Sequence, residues 1–198
     1  VIKFAAGEEF KNQKTVDYII EQLINLGAHK NAILIGVGGG VVTDITGYVA
    51  AVYMRGIKFG LVPTSILAMV DAAIGGKNGI DVGVYKNMVG TIRQPEFIFH
   101  DYSFLKTLPV KEWINGFAEV IKHALIADKS YWKNISKLQI SSSSIEPLIY
   151  RSVEIKNKTQ PLCWQLFHIF TCFNCCFRSS CCILHIGWFG NRCSRCYH

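Results

Sequence analysis

The sequence predicts an α/β protein in which a parallel α/β layer is followed by an all-helical segment. Three observations carry this. Short apolar runs stop at glycine or proline at 32–37 and 59–62, helical spacing of apolar residues fills the intervals, and beyond residue 109 only helical periodicity remains. Half of the 198 residues are hydrophobic, enough for a substantial core.

Residues 15–26 set Val16, Ile19, Ile20, Leu23 and Ile24 at helical spacing, and Gly27 marks the stop. The run 32–37 reads as a buried parallel strand, 42–54 as the next helix, and 59–62 as a second buried strand ending at Pro63. A helix is expected over 66–74, a loop with four glycines over 75–87, and a third strand-like run at 97–100. Helical patterns then occupy 110–127, 128–137 and 144–158, with Ser141–Ser144 as a cap or link. The strand–helix alternation is Rossmann-like and ends near 105–109. This divides the chain into 1–108, 109–158 and a cysteine-rich tail, 159–198.

The net charge of +7 comes from 21 Lys+Arg against 14 Asp+Glu, dispersed rather than clustered, with no acid after Glu154. No basic stripe is interleaved with aromatics, which argues against nucleic acid as a partner. No apolar run reads as a membrane span, and the first residues lack the apolar stretch of a secretory signal. All eight cysteines lie at or beyond Cys163, so the body has no disulfide framework, which reads as cytoplasmic or as neutral on compartment. The first residue is not methionine, and truncation at the N-terminus is expected.

Chemistry concentrates in three places. In AILIGVGGGVVTD, residues 32–44, a strand breaks into glycines and a helix begins. Glycines there admit backbone amides to a pyrophosphate at a helix N-terminus. The spacing is not the dinucleotide fingerprint, because Val41 stands where its third glycine belongs, so a purely structural turn fits equally. Asp44 has the same two readings, ligand contact or first-turn acid. Asp71, Lys77, Lys86 and Asn87 form a denser cluster, in which two lysines in glycine-rich turns are either surface residues or captors of phosphate or carboxylate. In FAEVIKHALI, Glu119, Lys122 and His123 share one helical face among apolar neighbours. A Glu119–Lys122 ion pair and a divalent metal held by Glu119 both satisfy that pattern. A lone helical histidine such as His123 is more often structural.

In order, GEEFK, GGGVVTD, GYVAAVYMRG, VPTSILAMVDAAIGGKNG, KNMVG, FLKTLP, GFAEVIKHALI and RSVEIKNK cover residues 6–158. Their order and spacing resemble the 3-dehydroquinate synthases, a branch of the sugar-phosphate cyclases. The resemblance implies a dehydroquinate synthase-like fold and the conversion of 3-deoxy-arabino-heptulosonate 7-phosphate to 3-dehydroquinate and phosphate in the shikimate pathway. NAD acts catalytically there, oxidising a hydroxyl, permitting phosphate elimination and returning the hydride before ring opening and aldol closure. A divalent metal, Zn2+ or Co2+, acts as Lewis acid.

The resemblance assigns Glu8 and Lys11 to the adenosine part of NAD. It assigns Gly39, Gly40, Val41, Val42, Thr43 and Asp44 to the pyrophosphate and ribose, and Thr64 and Ser65 to the nicotinamide side. Phe104, Leu105, Lys106 and Thr107 form a further cofactor segment. Asp71, Lys77, Lys86, Asn87 and Lys122 match substrate-binding positions, with Lys77 and Lys86 also counted on the cofactor side. Arg55 matches an arginine that reaches a neighbouring subunit's site, implying a homodimer, and Glu119 matches one of three metal ligands.

The family's other two metal ligands are histidines in GHTxGHA-like and HGEAVA-like motifs, which do not occur in this sequence, and the family strands preceding GEEFK do not occur either. The chain is therefore expected to bind metal poorly and to lack synthase turnover. Neighbouring readings are an inosose- or valiolone-forming cyclase and a metal-dependent polyol dehydrogenase, which differs by releasing NADH. The tail holds Cys172-x-x-Cys175 and Cys193-x-x-Cys196 seventeen residues apart, a zinc-ribbon spacing that makes a binding module the reading from another class. Its abrupt change of composition and three intervening cysteines favour a non-native tail, and no metal role is assigned to His168, His185 or His198.

Overall fold

The computed structural model describes residues 1–127, 129–135 and 145–158. The tail with its cysteine pairs, its three histidines and the serine link lie outside the described residues. Helix α1, Gln13–Asn25, starts at Asn12, whose side chain accepts the Thr15 amide at 3.1 Å. It buries Val16, Ile19 and Leu23. Strand β1, Ile33–Gly38, leads through Gly39 into α2, Gly40–Val52, then a 3-10 turn at Tyr53–Arg55 and strand β2, Lys58–Pro63. A π-helical turn, Ala68–Ala72, follows. Next come β3, Lys77–Val82, β4, Tyr85–Ile92, and the two-residue β5, Phe97–Ile98. A 3-10 helix, Tyr102–Thr107, joins this part to α3, Val110–Ala127, and α4, Lys129–Ile135, and residues 145–158 are helical.

The alternation of strand and helix gives the α/β architecture the sequence predicts. Strands β1, β2 and β5 form a parallel sheet in that order, with Ile33 opposite Lys58 and Gly38 opposite Pro63. Helix α2 is the crossover between β1 and β2, and it lies close to β1. A Cβ on Gly36 would stand 2.3 Å from Thr46 Oγ1, so glycine sets the approach of helix to strand.

Four sequence expectations change in detail. Residues 75–87 are largely an antiparallel hairpin, β3 with β4, rather than a loop. Its glycines and charges hide the period-two pattern, while buried Ile80 anchors it to the α/β core. Strand β1 is not buried on both faces: Ile33, Ile35 and Val37, which share one face, are 53%, 53% and 54% exposed, so that face is open among the described residues. The helix expected at 66–74 includes a π-helical stretch, and the third strand is shorter than its apolar run.

Two apolar cores result. One joins α1, α2, β2 and the hairpin through Val16, Ile45, Val49, Phe59, Leu61 and Ile80. The other joins the π-helical turn to the helical segment through Met69, Val70, Phe117, Val120, Ile145 and Ile149. Full burial of each such side chain contributes about 1.5–3 kcal/mol. Gly116 lets α3 close on the π-helical turn, since a Cβ there would meet Ile66 Cβ at 2.4 Å. That contact brings the polar face of α3 to Asp71.

Candidate functional site

The end of β1 delivers Gly39 and Gly40 to the start of α2. Gly39 caps that helix with no side-chain hydrogen bond. The first-turn amides, including those of Gly40, Val41 and Val42, have no helical acceptors, as at any helix start, and are suited to an anion. Thr43 is buried and turns its hydroxyl onto the Gly40 carbonyl at 2.8 Å. Thr64 lies beside this turn, its amide donating to the Gly38 carbonyl at 2.9 Å. Buried Ser65 accepts the Ala68 amide on its hydroxyl at 3.3 Å, just before the π-helical turn.

Asp44 follows in the first turns of α2 and ion-pairs with Lys11. Lys11 is only 4% exposed, and its ammonium also donates to Asn87 Oδ1 at 2.5 Å. Burial raises Asp44 from the ordinary 3.8 to about 6, against the opposing pull of Lys11. The charges of Glu8 and Asp71 add to that rise, which places Asp44 electrostatically between the two halves of the site. Glu8 faces Lys86 at 3.6 Å, both exposed, on an open groove of about 640 Å³ shared with Lys11, Asn12 and Asp81. On the 3-10 helix, Phe104, Lys106 and Thr107 are exposed, whereas Leu105 is 2% exposed in the second core. Any ligand contact by Leu105 is therefore through its backbone.

The second half gathers around Asp71. The π-helical turn presents its carboxylate to Lys156, which arrives on the helix at 145–158 and pairs with it. Burial alone raises Asp71, but Lys156, then Lys122 and His123, outweigh it and hold the carboxyl below its ordinary value. Glu119 and Lys122 form the ion pair that their spacing allows. The contact lacks hydrogen-bond geometry, so the buried Glu119 Oε2 receives no hydrogen bond. His123 is buried, with Nδ1 2.6 Å from the Ser152 hydroxyl, and burial lowers its pKa toward the neutral imidazole. Asp71, Glu119 and His123 each offer one ligand atom, all within 4.8 Å of one another, so a donor set fit for a divalent metal is present.

The structure thus gathers Asp71, Glu119 and Lys122 into one cluster, and Glu8, Lys11, Asp44, Lys86 and Asn87 into another. Lys77 is exposed at the base of the hairpin, where β3 begins, while Asn87 is near its tip. Arg55 is elsewhere, beyond the far end of α2, about 20 Å along the helix axis from Gly40. Sequence reasoning missed Lys156. Its signal was a stripe of Ile145, Ile149, Ser152 and Lys156 at helical spacing, with one lysine on an otherwise buried face.

Comparison with known proteins gives this arrangement a context. The family described as 3-dehydroquinate synthase N-terminal matches residues 1–115. The 3-dehydroquinate synthase of Streptococcus sanguinis (strain SK36) is 43% identical over 162 residues, covering 80% of this chain and 46% of that protein. That of Pyrococcus furiosus is 47% identical over 152 residues, covering 76% and 45%. The chain therefore spans less than half the length of these curated relatives. Among solved structures, 2-epi-5-epi-valiolone synthase from Streptomyces hygroscopicus subsp. jinggangensis 5008, with NAD+ and Zn2+ bound, superposes with a TM-score of 0.70. It is 29% identical, over 81% of this chain and 47% of that one. A 2-deoxy-scyllo-inosose synthase complexed with carbaglucose-6-phosphate, NAD+ and Co2+ superposes with a TM-score of 0.69 at 28% identity, over 78% and 44%.

Proposed function

This chain belongs to the 3-dehydroquinate synthase family, and from that membership we propose that it carries the cofactor-binding half and much of the substrate-binding half of that activity. The reaction is conversion of 3-deoxy-arabino-heptulosonate 7-phosphate to 3-dehydroquinate and phosphate in the shikimate pathway, a carbon–oxygen lyase step. The observation that carries this is the cluster at Asp71, which pairs with Lys156 and shares a metal-ligand set with Glu119 and His123, Glu119 being paired in turn with Lys122.

NAD fits the uncapped start of α2 and the groove beside Glu8. A divalent metal fits Asp71, Glu119 and His123, whose ligand atoms all lie within 4.8 Å of one another, and would take the place of Lys122 as partner of Glu119 Oε2. When bound, these groups supply reversible hydride transfer and Lewis-acid polarisation of the reacting oxygen. The chain's own residues do the rest. Lys122 and Lys156 draw substrate anions toward Asp71, whose lowered pKa keeps it an ionised acceptor for a substrate hydroxyl. Lys77, Lys86 and Asn87 extend that polar surface along the hairpin. Amides at Gly39–Val42 take a pyrophosphate, Asp44 takes a ribose hydroxyl, and Thr64, Ser65 and 104–107 border the cofactor.

We assign residues 1–108 to the NAD-binding part, 109–158 to the start of the helical part, and 159–198 to a tail outside both. The working form is a homodimer in the cytoplasm. Met54 and Arg55 have φ values of 48° and 61°, a strained backbone that a subunit contact by Arg55 would justify. No described helix is long and apolar enough to cross a membrane.

Calorimetric titration of NAD into the chain, followed by the heptulosonate phosphate into the loaded protein, tests the reading. Saturable binding in both steps supports it. Because a synthase returns its hydride, NADH accumulating with a polyol substrate would instead establish a dehydrogenase. Binding of NAD but tighter binding of another sugar 6-phosphate would favour an inosose- or valiolone-type cyclase, the class of both solved structures above.

A further inference from the structure

We propose that Lys11 is a positioning residue that couples the cofactor side of the site to the substrate side, by holding Asp44 and Asn87 on one buried ammonium. The inference rests on the reading that NAD occupies the groove beside Glu8. Lysine is almost never fully buried unless paired, because stripping water from an ammonium costs several kcal/mol. Lys11 is 4% exposed and has two partners from different elements, the Asp44 carboxylate on α2 and Asn87 Oδ1 at 2.5 Å on the hairpin.

The main chain fastens the same junction. The Lys11 carbonyl accepts the Asp81 amide at 2.8 Å, and the Asp81 carboxylate accepts the Asn87 amide at 2.7 Å. Asn87 sits at φ 55°, a left-handed conformation that asparagine tolerates and that these contacts hold. Asp81 and Asn87 near the hairpin tip are therefore tied to Lys11, and through its buried ammonium to Asp44 on α2. A ribose hydroxyl donating to Asp44 weakens or redirects its pairing with Lys11, and the only other side chain the ammonium is bonded to among the described contacts is Asn87. Cofactor occupancy is thereby transmitted to the segment bearing Lys86 and Asn87. Such coupling is reciprocal, so a ligand on Asn87 also alters affinity for NAD.

Hydrogen exchange read by mass spectrometry over the hairpin, with and without saturating NAD, tests this. In the natural chain NAD is expected to change exchange at 81–87 by about fivefold, the low end of ordinary coupling. In Lys11→Met, with NAD raised until that variant is saturated, the change is expected to vanish. Asn87→Gly, which keeps the left-handed backbone and leaves the Lys11–Asp44 pair intact, is expected to lose the response too. That second variant is exposed and keeps the test decisive if Lys11→Met fails to fold. An unchanged hairpin in NAD-loaded natural chain, or a full response in either variant, overturns the coupling while leaving NAD binding intact. Failure of NAD to bind the natural chain overturns the cofactor reading and the coupling with it.

Discussion

At the scale of single residues, charge burial sets the most measurable properties. Asp44 holds its proton more tightly folded, at about 6, than unfolded, at 3.8. Folding therefore takes up a proton between those pH values, and stability falls as pH rises across the window, by on the order of 3 kcal/mol in total. Urea midpoints measured at steps through the window should show that slope, and Asp44→Asn should remove it. Asp71 behaves oppositely, since its carboxyl is held low by Lys156 and Lys122 against burial. Lys156→Met strands that carboxylate with only the more distant Lys122 charge. A loss of about 1–2 kcal/mol is expected, between the values for exposed and buried pairs. Proton titration of Asp71 by carbon-detected NMR should move upward in the same variant, and a pKa that stays low would refute the pairing. Lys156 escaped the motif-by-motif reading because its role depends on a partner 85 residues away.

At the scale of elements, the glycine turn and the helix that follows it work as one piece. The apolar run and its break into glycines predict strand, turn and helix, and the structure has all three at those positions. What the pattern alone left open was how close helix and strand come. Gly36→Ala pushes a methyl into Thr46 and should cost about 1–3 kcal/mol, the range for overpacking a filled site. A guanidinium midpoint unchanged from the natural chain would show that α2 can shift away at no cost. The hairpin was illegible for a different reason. Two glycines and two charged side chains interrupt the alternation of β3 and the adjoining turn, so local propensity favours a loop. Cross-strand pairing with β4 and one buried isoleucine decide the matter instead.

For the molecule as a whole, two cores meet at the π-helical turn, so the site lies where the α/β layer joins the helical segment. Ligand binding should therefore stabilise both parts together. NAD at a hundred times its dissociation constant should raise stability by about 2.7 kcal/mol by mass action. Differential scanning calorimetry should then show a concentration-dependent rise in the midpoint, and a midpoint indifferent to NAD would contradict the proposed cofactor site. The exposed face of β1, with Ile33, Ile35 and Val37, and the exposed β4 leave the sheet and hairpin edges open among the described residues.

The sequence by itself determined the order of the parallel strands and the helices, the glycine turn and the family, because these depend on local periodicity and on residues close together in the chain. It also limited Glu119 to an ion pair or a metal ligand, from helical spacing. Only the tertiary structure decided which charges meet. Lys11 reaches Asn87 across 76 residues and Lys156 reaches Asp71 across 85. No local period encodes such pairs. They form because packing of the two cores removes those side chains from water, and a buried charge must then find the partner that the fold has brought beside it.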